Sequence, residues 1–231
     1  MSTLAEKIAS YWDKQSAIWR EEKVEQWTKP ETLYWTDFFR EVRSRCPGGK
    51  VLEIGTASGY FANILHLAGF EVTAIDISPN MIEEAKSVSA SLGIPVDYYV
   101  MNALELNFHA QSFDLVFTRL MTWTIPDLLG FYGQCHRVLR PKGHFINFDG
   151  DFGKCEFSQE GHEKYPEEIM EEANRIKAGL AVNSYDRPEK DEEILKEIGF
   201  TSVISDHSAQ NRILRNPKEG GGIFMIEAVK G

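Results

Sequence analysis

The chain has 231 residues, of which 42% are hydrophobic and 26% charged, with a formal net charge of −10. That length suffices for one substantial core with an appended cap and is short for two enzymes. The acidic field disfavours a nucleic-acid substrate, because no basic stripe offsets it. No apolar run approaches the ~20 residues of a membrane span, so no membrane partner is expected. Residues 1–13 mix charge with apolar side chains and lack a signal-peptide core, so the expected compartment is the cytoplasm. Cys46, Cys135 and Cys155 are far apart and form no C-x-x-C pair, which argues against a disulfide framework and against a bound metal.

Residues 1 to about 45 read as two or three aromatic-rich helices, with Tyr11, Trp12, Trp19, Trp27, Tyr34, Trp35, Phe38 and Phe39 set among Lys, Arg and Glu. Pro30 suits a first helical turn, with Thr28 as N-cap and Glu31 just inside. These rings either pack a helical cap onto the core or, in the case of Tyr11 and Trp19, roof a small-molecule pocket. After the boundary turn at 46–50, Val51, Leu52 and Ile54 form a buried strand running into a tight turn with Gly55, Ala57 and Gly59, and a helix follows over 60–67. A strand delivering small residues to a helix N-terminus leaves backbone N–H groups facing a crevice, which suits a nucleotide-like or carboxylate-bearing ligand.

The alternation continues. Gly69 closes the helix as a C′ residue, and 71–76 is a second strand ending on Asp76. Ser78 and Pro79 start a second helix that Gly93 stops. Strands follow at 96–100, 113–117 and 143–149, with a helix at about 126–139 stopped by Pro141-Lys-Gly143. Residues 163–180 have helical composition with a solvated acidic face, 188–198 form another helix closed by Gly199, and 201–206 and 223–229 are final strands. The Gly220-Gly-Gly222 run between them suits a hairpin. Short apolar strands alternating with helices imply βαβ units and a parallel sheet covered on both faces. The expected organisation is a single unit with a helical cap over 1–47, a core over 48–150, a helical insert over 151–187, and a C-terminal helix and strands over 188–231.

In the core, five blocks resemble the class I S-adenosylmethionine-dependent methyltransferases, especially the small-molecule group of ubiquinone- and menaquinone-type enzymes. They are Glu53-Ile-Gly-Thr-Ala-Ser-Gly59; Ala74-Ile-Asp-Ile-Ser-Pro-Asn-Met81; Asn102-Ala-Leu-Glu-Leu-Asn-Phe108; Ser112-Phe-Asp-Leu-Val-Phe117; and Arg137-Val-Leu-Arg-Pro-Lys-Gly143. Ala57 stands where the family has its middle glycine, and Asn102 where it usually has aspartate. A dinucleotide fingerprint would need glycine where Tyr60 stands, so the spacing speaks against a dehydrogenase.

The resemblance implies a Rossmann-like, doubly wound α/β fold with a mostly parallel seven-stranded sheet and an antiparallel last strand. It implies S-adenosylmethionine as cofactor, leaving as S-adenosylhomocysteine. Gly55, Thr56, Ala57 and Gly59 would meet the methionine portion, with Glu53 orienting that loop. Asp76 would take both ribose hydroxyls, unless it is a surface acid capping the next helix. Ile77 and Met81 would sandwich the adenine, although Met81 also suits ordinary helix packing. Asn102, Ala103 and Leu104 would address the adenine edge, with Tyr11, Trp19 and Arg119 completing the site. Arg119 and Trp123, after the fourth strand, are candidates at the meeting point of donor and acceptor, with simple ion pairing the alternative for Arg119. Asp149 and Asp151 are candidates for binding an acceptor amine or acting as base, or are turn formers in Asp-Gly-Asp. His109 and His144 have no acid paired with them in sequence.

The expected reaction is in-line attack by a small-molecule acceptor on the sulfonium methyl, for which the protein mainly supplies alignment and exclusion of water. The alternatives are a cofactor-binding protein without transferase activity and a methyltransferase acting on protein or RNA. No oligomeric state is readable from these residues.

Overall fold

Strand β1 (Lys50–Ile54) runs through the middle of the sheet because nearly every side chain on it is apolar or buried: Val51, Leu52 and Ile54 are at most 1% exposed. Such two-sided burial is what a central parallel strand requires. In this computed structural model, which describes residues 3–158, 160, 163–216 and 222–231, seven strands form one sheet in the order β3-β2-β1-β4-β5-β7-β6. Its other strands are β2 (Glu71–Asp76), β3 (Asp97–Val100), β4 (Phe113–Arg119), β5 (Leu139–Gly150), β6 (Phe200–Asp206) and β7 (Ile223–Lys230). Pairings from β3 across to β5 are parallel, and only β7 runs against its neighbours β5 and β6. This is the expected mostly parallel sheet with a reversed last strand.

Successive side chains point to opposite faces, and each face is covered. The helices are α1 (Leu4–Asp13), α2 (Ser16–Trp27), α3 (Pro30–Arg45), α4 (Tyr60–Leu67), α5 (Pro79–Leu92), α6 (Leu128–Val138), α7 (Glu167–Ala178), α8 (Glu189–Ile198) and α9 (Ala209–Leu214). Val51, Leu115, Phe117 and Phe148 pack with Trp35 and Phe39 of α3 and with the apolar side of α4. Leu52, Val116 and Phe145 pack with Phe131 and Tyr132 of α6 and Leu195 of α8. Helices α1 and α2 lie on α5, and α1 also meets α7. Cys46 and Cys135 are buried and Cys155 is exposed.

Local chemistry explains most boundaries. Ser78 accepts from the Met81 N–H with Pro79 at the first helical position, and Gly93 ends α5 in the left-handed conformation. Elsewhere the boundaries move. Thr28 is not an N-cap; it closes α2, and Lys29 precedes Pro30 in α3 without any side-chain cap. Helix α6 starts at Leu128 because Asp127 caps the Gly130 N–H, leaving Pro126 outside. Strand β5 begins at Leu139, directly after that helix, by pairing with Phe113. The ladder then skips to Leu115–His144, and the excursion in between holds Pro141 and Lys142 (φ 63°). Helix α9, which sequence pattern did not reveal, has six residues and packs on α3 and β7. A hairpin at Gly220 and Gly221 concerns positions outside the described residues.

Candidate active site

The turn after β1 takes three left-handed residues in a row of five: Gly55 (φ 76°), Ala57 (φ 49°) and Gly59 (φ 82°). A non-glycine residue in that region is uncommon and carries strain of order 1 kcal/mol. What holds Ala57 there is its N–H, which donates to Asp76 Oδ2 at 2.9 Å. The other oxygen of Asp76 accepts the Ser78 N–H, also at 2.9 Å. The carboxylate at the end of β2 therefore ties together the β1 turn and the start of α5. Helix α1 is fastened to the same place, since Asp13 Oδ1 accepts from Ser78 Oγ and from the Asn80 N–H.

Above these carboxyl strand ends lies a cavity of about 840 Å³, mouth included. Its floor comes from Ile54 and Gly55, from Ile75, Asp76 and Ile77, and from Met101 to Leu104 after β3; Arg119, Leu120 and Met121 after β4 form one side. Ala5, Ile8 and Trp12 of α1 and Trp19 of α2 close it over. The walls are almost wholly apolar, and among the described residues Asp76 is the single carboxylate lining them. Burial pushes the Asp76 carboxyl up to about 6 against the pull of the N–H groups of Ser78 and Ala57. Arg119 is the lone cation on the lining among the described residues, and burial lowers its guanidinium to about 10, which leaves it charged at neutral pH. Its Nη2 donates to Gln210 Oε1 at 3.2 Å, and the group lies 5.4 Å from the Phe61 ring centroid and 5.9 Å from that of Trp35. Two residues of this cavity keep a buried donor without a protein partner, Arg119 Nε and Trp19 Nε1.

A second cavity, of about 1140 Å³ with its mouth, adjoins the first. Trp12, Trp19 and Leu120 line both and form the shared wall. The second is bordered by Tyr11, Trp123, Phe152, Phe157, Tyr165 and the Glu22 carboxylate, among others.

The structure thus gathers Trp19, Gly55, Ala57, Asp76, Ile77, Met81, Asn102, Ala103, Leu104 and Arg119 around one cavity. Asp76 is not a surface acid, being 8% exposed. The Asn102 amide oxygen is engaged by the Leu104 N–H at 3.0 Å, shaping the loop and leaving one lone pair for a ligand. Other expected positions fall elsewhere. Tyr11 and Trp123 line the second cavity, and the Trp123 Nε1 donates to Leu120 O at 3.1 Å. Glu53 and Thr56 are buried behind the turn, where Thr56 Oγ1 donates to Glu53 Oε2 at 2.7 Å, and burial pushes that carboxyl up to about 8. Gly59 serves packing, not ligand approach: a Cβ there would lie 2.5 Å from Tyr98 Oη and 3.1 Å from Ala85 Cβ.

Two of the acids proposed as catalytic line neither cavity. Asp149 is 0% exposed; it accepts from the N–H and hydroxyl of Thr122 and lies 4.0 Å from Arg187 Nη1. Arg187 in turn grips Asp191 through Nε (2.8 Å) and Nη2 (2.6 Å), and Tyr132 donates to the same carboxylate. Asp149 thereby fixes the loop after β4 from behind. Asp151 pairs with Lys154 at 2.7 Å. His144 does have an acid partner, Glu227 at 2.8 Å, far along the chain at the β5–β7 pairing. Sequence reading overlooked Trp12, Ile8 and Asp13. The spacing of Ile8, Tyr11 and Trp12 marks an inward face of α1, and the Thr3–Glu6 capping box marks its start.

Comparisons agree with this geometry. Residues 52–147 match the methyltransferase domain family Methyltransf_11. The ubiquinone biosynthesis O-methyltransferase of Xanthomonas campestris pv. campestris is 32% identical over 102 residues, which is 44% of this chain and 43% of that protein. Its counterpart from Actinobacillus pleuropneumoniae is 28% identical over 114 residues, covering 46% and 48%. The chain spans less than half the length of these curated relatives. A S-adenosylmethionine-dependent methyltransferase from Aquifex aeolicus superposes with a TM-score of 0.58 at 18% identity, covering 91% of this chain and 98% of that one. Phosphoethanolamine N-methyltransferase 2 of Haemonchus contortus, in complex with S-adenosylmethionine, gives 0.59 at 20% identity, covering 82% and 51%. At those identities the solved structures speak for the fold. With the strand order, the glycine turn and the buried Asp76, the matched segment identifies residues 52–147 as a class I S-adenosylmethionine-dependent methyltransferase domain, similar there to the ubiquinone-type enzymes.

Proposed function

We propose that the protein transfers a methyl group from S-adenosylmethionine to a small-molecule acceptor. The observation that carries this is the first cavity: apolar walls enclosing one carboxylate and one guanidinium at the carboxyl ends of β1, β2 and β4. The donor set fits the cofactor. Asp76, while accepting the N–H groups of Ala57 and Ser78, keeps acceptor capacity for the ribose hydroxyls. Ile77, Met81 and Leu104 offer an apolar slot for adenine, and Arg119 offers charge-assisted hydrogen bonds to the amino-acid carboxylate. The bound cofactor supplies an already activated methyl group. What the chain adds is alignment, and closure by α1 and α2 that keeps water from the reacting atoms; positioning of this kind is worth up to ~7–11 kcal/mol.

The second cavity, on the far side of Trp12, Trp19 and Leu120, suits the acceptor. Its concave, aromatic-lined shape supports a small molecule over a polypeptide or RNA, and so does the net charge of −10. No helix among the described residues is long and apolar enough to cross a membrane. Cap, core, insert and C-terminal segment act as one unit in this proposal, because α1, α2 and the segment after β5 border the paired cavities and β6 and β7 complete the same sheet.

The test is incubation with methyl-labelled S-adenosylmethionine and a metabolite extract, read by mass spectrometry, with Asp76→Ala as control. A labelled product formed by the wild type and lost in the variant supports the assignment. Release of no labelled product by a protein that binds the cofactor would point to a binding role without transfer.

A further inference from the structure

Given the methyl-transfer proposal, on which this rests, we infer that the acceptor is a small aliphatic amine, held with its nitrogen among the aromatic rings of the second cavity and against Glu22. The rings come from separate parts of the chain: Tyr11 and Trp12 from α1, Trp19 from α2, Trp123 from the turn after β4, and Phe157 from the segment after β5. They brace one another edge to face. The centroid separations are 4.9 Å for Tyr11–Trp12, 5.8 Å for Trp12–Trp123, 6.1 Å for Trp12–Trp19 and 5.3 Å for Trp123–Phe157. A braced set of rings around a space with two carboxylates on its lining, Glu22 and Glu163, is the chemistry that recognises an alkylammonium group. Glu22 is held in place, because the Tyr165 hydroxyl donates to its Oε2 at 3.0 Å. Lys164, the one cation on the lining among the described residues, is exposed and directed toward Glu25, 3.9 Å away.

Acid–base chemistry points the same way. No histidine lines either cavity among the described residues, and Asp149 is committed behind the β4 loop. An alcohol or phenol acceptor would need a base in the cavity to take its proton as the bond forms, and a carboxylate is a base weaker than a phenolate by roughly six pKa units. An aliphatic amine gives up its ammonium proton to water before it binds, and its neutral form, unlike a neutral phenol, is already a good nucleophile that needs no base in the cavity. Entering as its free base, it uses its own lone pair to form the N–C bond while the C–S bond breaks and that electron pair passes to sulfur. The positive charge moves from sulfur to nitrogen. A tertiary amine ends as a quaternary ammonium with no proton to lose; a secondary or primary amine then releases one proton to water. Rings and carboxylate that favour a cation in the acceptor cavity therefore stabilise the charge as it arrives, which is the differential binding that accelerates transfer.

The test uses calorimetry on the whole protein presaturated with S-adenosylhomocysteine, titrated with choline, with its neutral carbon isostere 3,3-dimethylbutan-1-ol, and with catechol. The expected result is choline binding about tenfold or more tighter than the isostere, with that preference lost in Glu22→Gln and reduced in Trp12→Leu. Glu22→Gln is isosteric and keeps an acceptor for Tyr165, and the S-adenosylhomocysteine titration of each variant reports whether it is folded. Equal binding of choline and the isostere, binding of catechol alone, or binding of none of the three would overturn the amine assignment. Failure of S-adenosylhomocysteine itself to bind the wild type would instead overturn the cofactor assignment, so the two failures are distinguishable. Turnover with N,N-dimethylethanolamine as acceptor, giving labelled choline from methyl-labelled cofactor, is the matching kinetic readout.

Discussion

Lowering the pH from about 7.5 to about 5 should weaken S-adenosylhomocysteine binding about tenfold through Asp76 alone. Burial raises this carboxyl to about 6 in the free protein. Ribose hydroxyls donate strongly to the ionised form, so a protonated Asp76 has to lose its proton before the site is competent. One pH unit below the pKa, about a tenth of the molecules are ionised, and the apparent Kd rises by the inverse of that fraction. Unfolding does not mimic the effect. A carboxyl whose folded pKa lies above its unfolded value of 3.8 favours the fold at low pH, and that contribution is lost as pH rises through about 6. Glu53, raised to about 8 by burial, stays protonated below neutrality and adds no slope there. Isothermal titration across this range measures Kd directly. In Asp76→Asn the slope should vanish and the affinity fall to a pH-independent value about a hundredfold weaker than wild type at neutral pH, for two charge-assisted hydrogen bonds weakened together. A wild-type Kd constant within about twofold, or a variant that keeps the slope, would refute the role given to Asp76.

Arg119→Met should weaken S-adenosylhomocysteine about tenfold to a hundredfold while leaving adenosine, which lacks the carboxylate, unaffected in the same titration. Asp149→Ala removes the acceptor of two Thr122 donors and an anion near Arg187, so it should cost about 3–5 kcal/mol, a fall in Tm of roughly 10 °C by calorimetry. Cofactor affinity of the folded Asp149→Ala protein should stay within about threefold of wild type; abolished affinity would return Asp149 to the site. Gly59→Ala puts a Cβ at φ 82° and 2.5 Å from Tyr98 Oη, and should lower stability by about 1–3 kcal/mol in a urea titration. Relief of that loss by Tyr98→Phe would confirm the contact as its cause.

The parallel core was legible because its punctuation is local. Gly55, Asp76, Ser78, Pro79 and Gly93 each act on their immediate neighbours, and the structure uses the last three as the dihedral and capping rules require. The grouping of residues around the first cavity was legible for the same reason, since most of its floor follows the ends of successive strands. What escaped depends on partners distant in the chain. Asp149 looks like an acid at a reactive edge until Arg187 and Thr122 occupy it. Gly59 looks like a ligand-facing glycine until Tyr98 and Ala85 fill its far side. Trp12 is one tryptophan among several in α1 and α2, and only the folded arrangement makes it the wall between two cavities. Helix α9 escaped because six polar-rich residues carry little periodicity, and its packing on α3 and β7 is what orders it.

A crystal structure of the protein with S-adenosylhomocysteine tests the central claim most directly. The expected result has the ribose hydroxyls on Asp76, the adenine beside Met81 and Leu104, the carboxylate on Arg119, and the sulfur facing Trp12, Trp19 and Leu120 toward the aromatic cavity. Density for the ligand at another site, or a sulfur turned away from that shared wall, would contradict it.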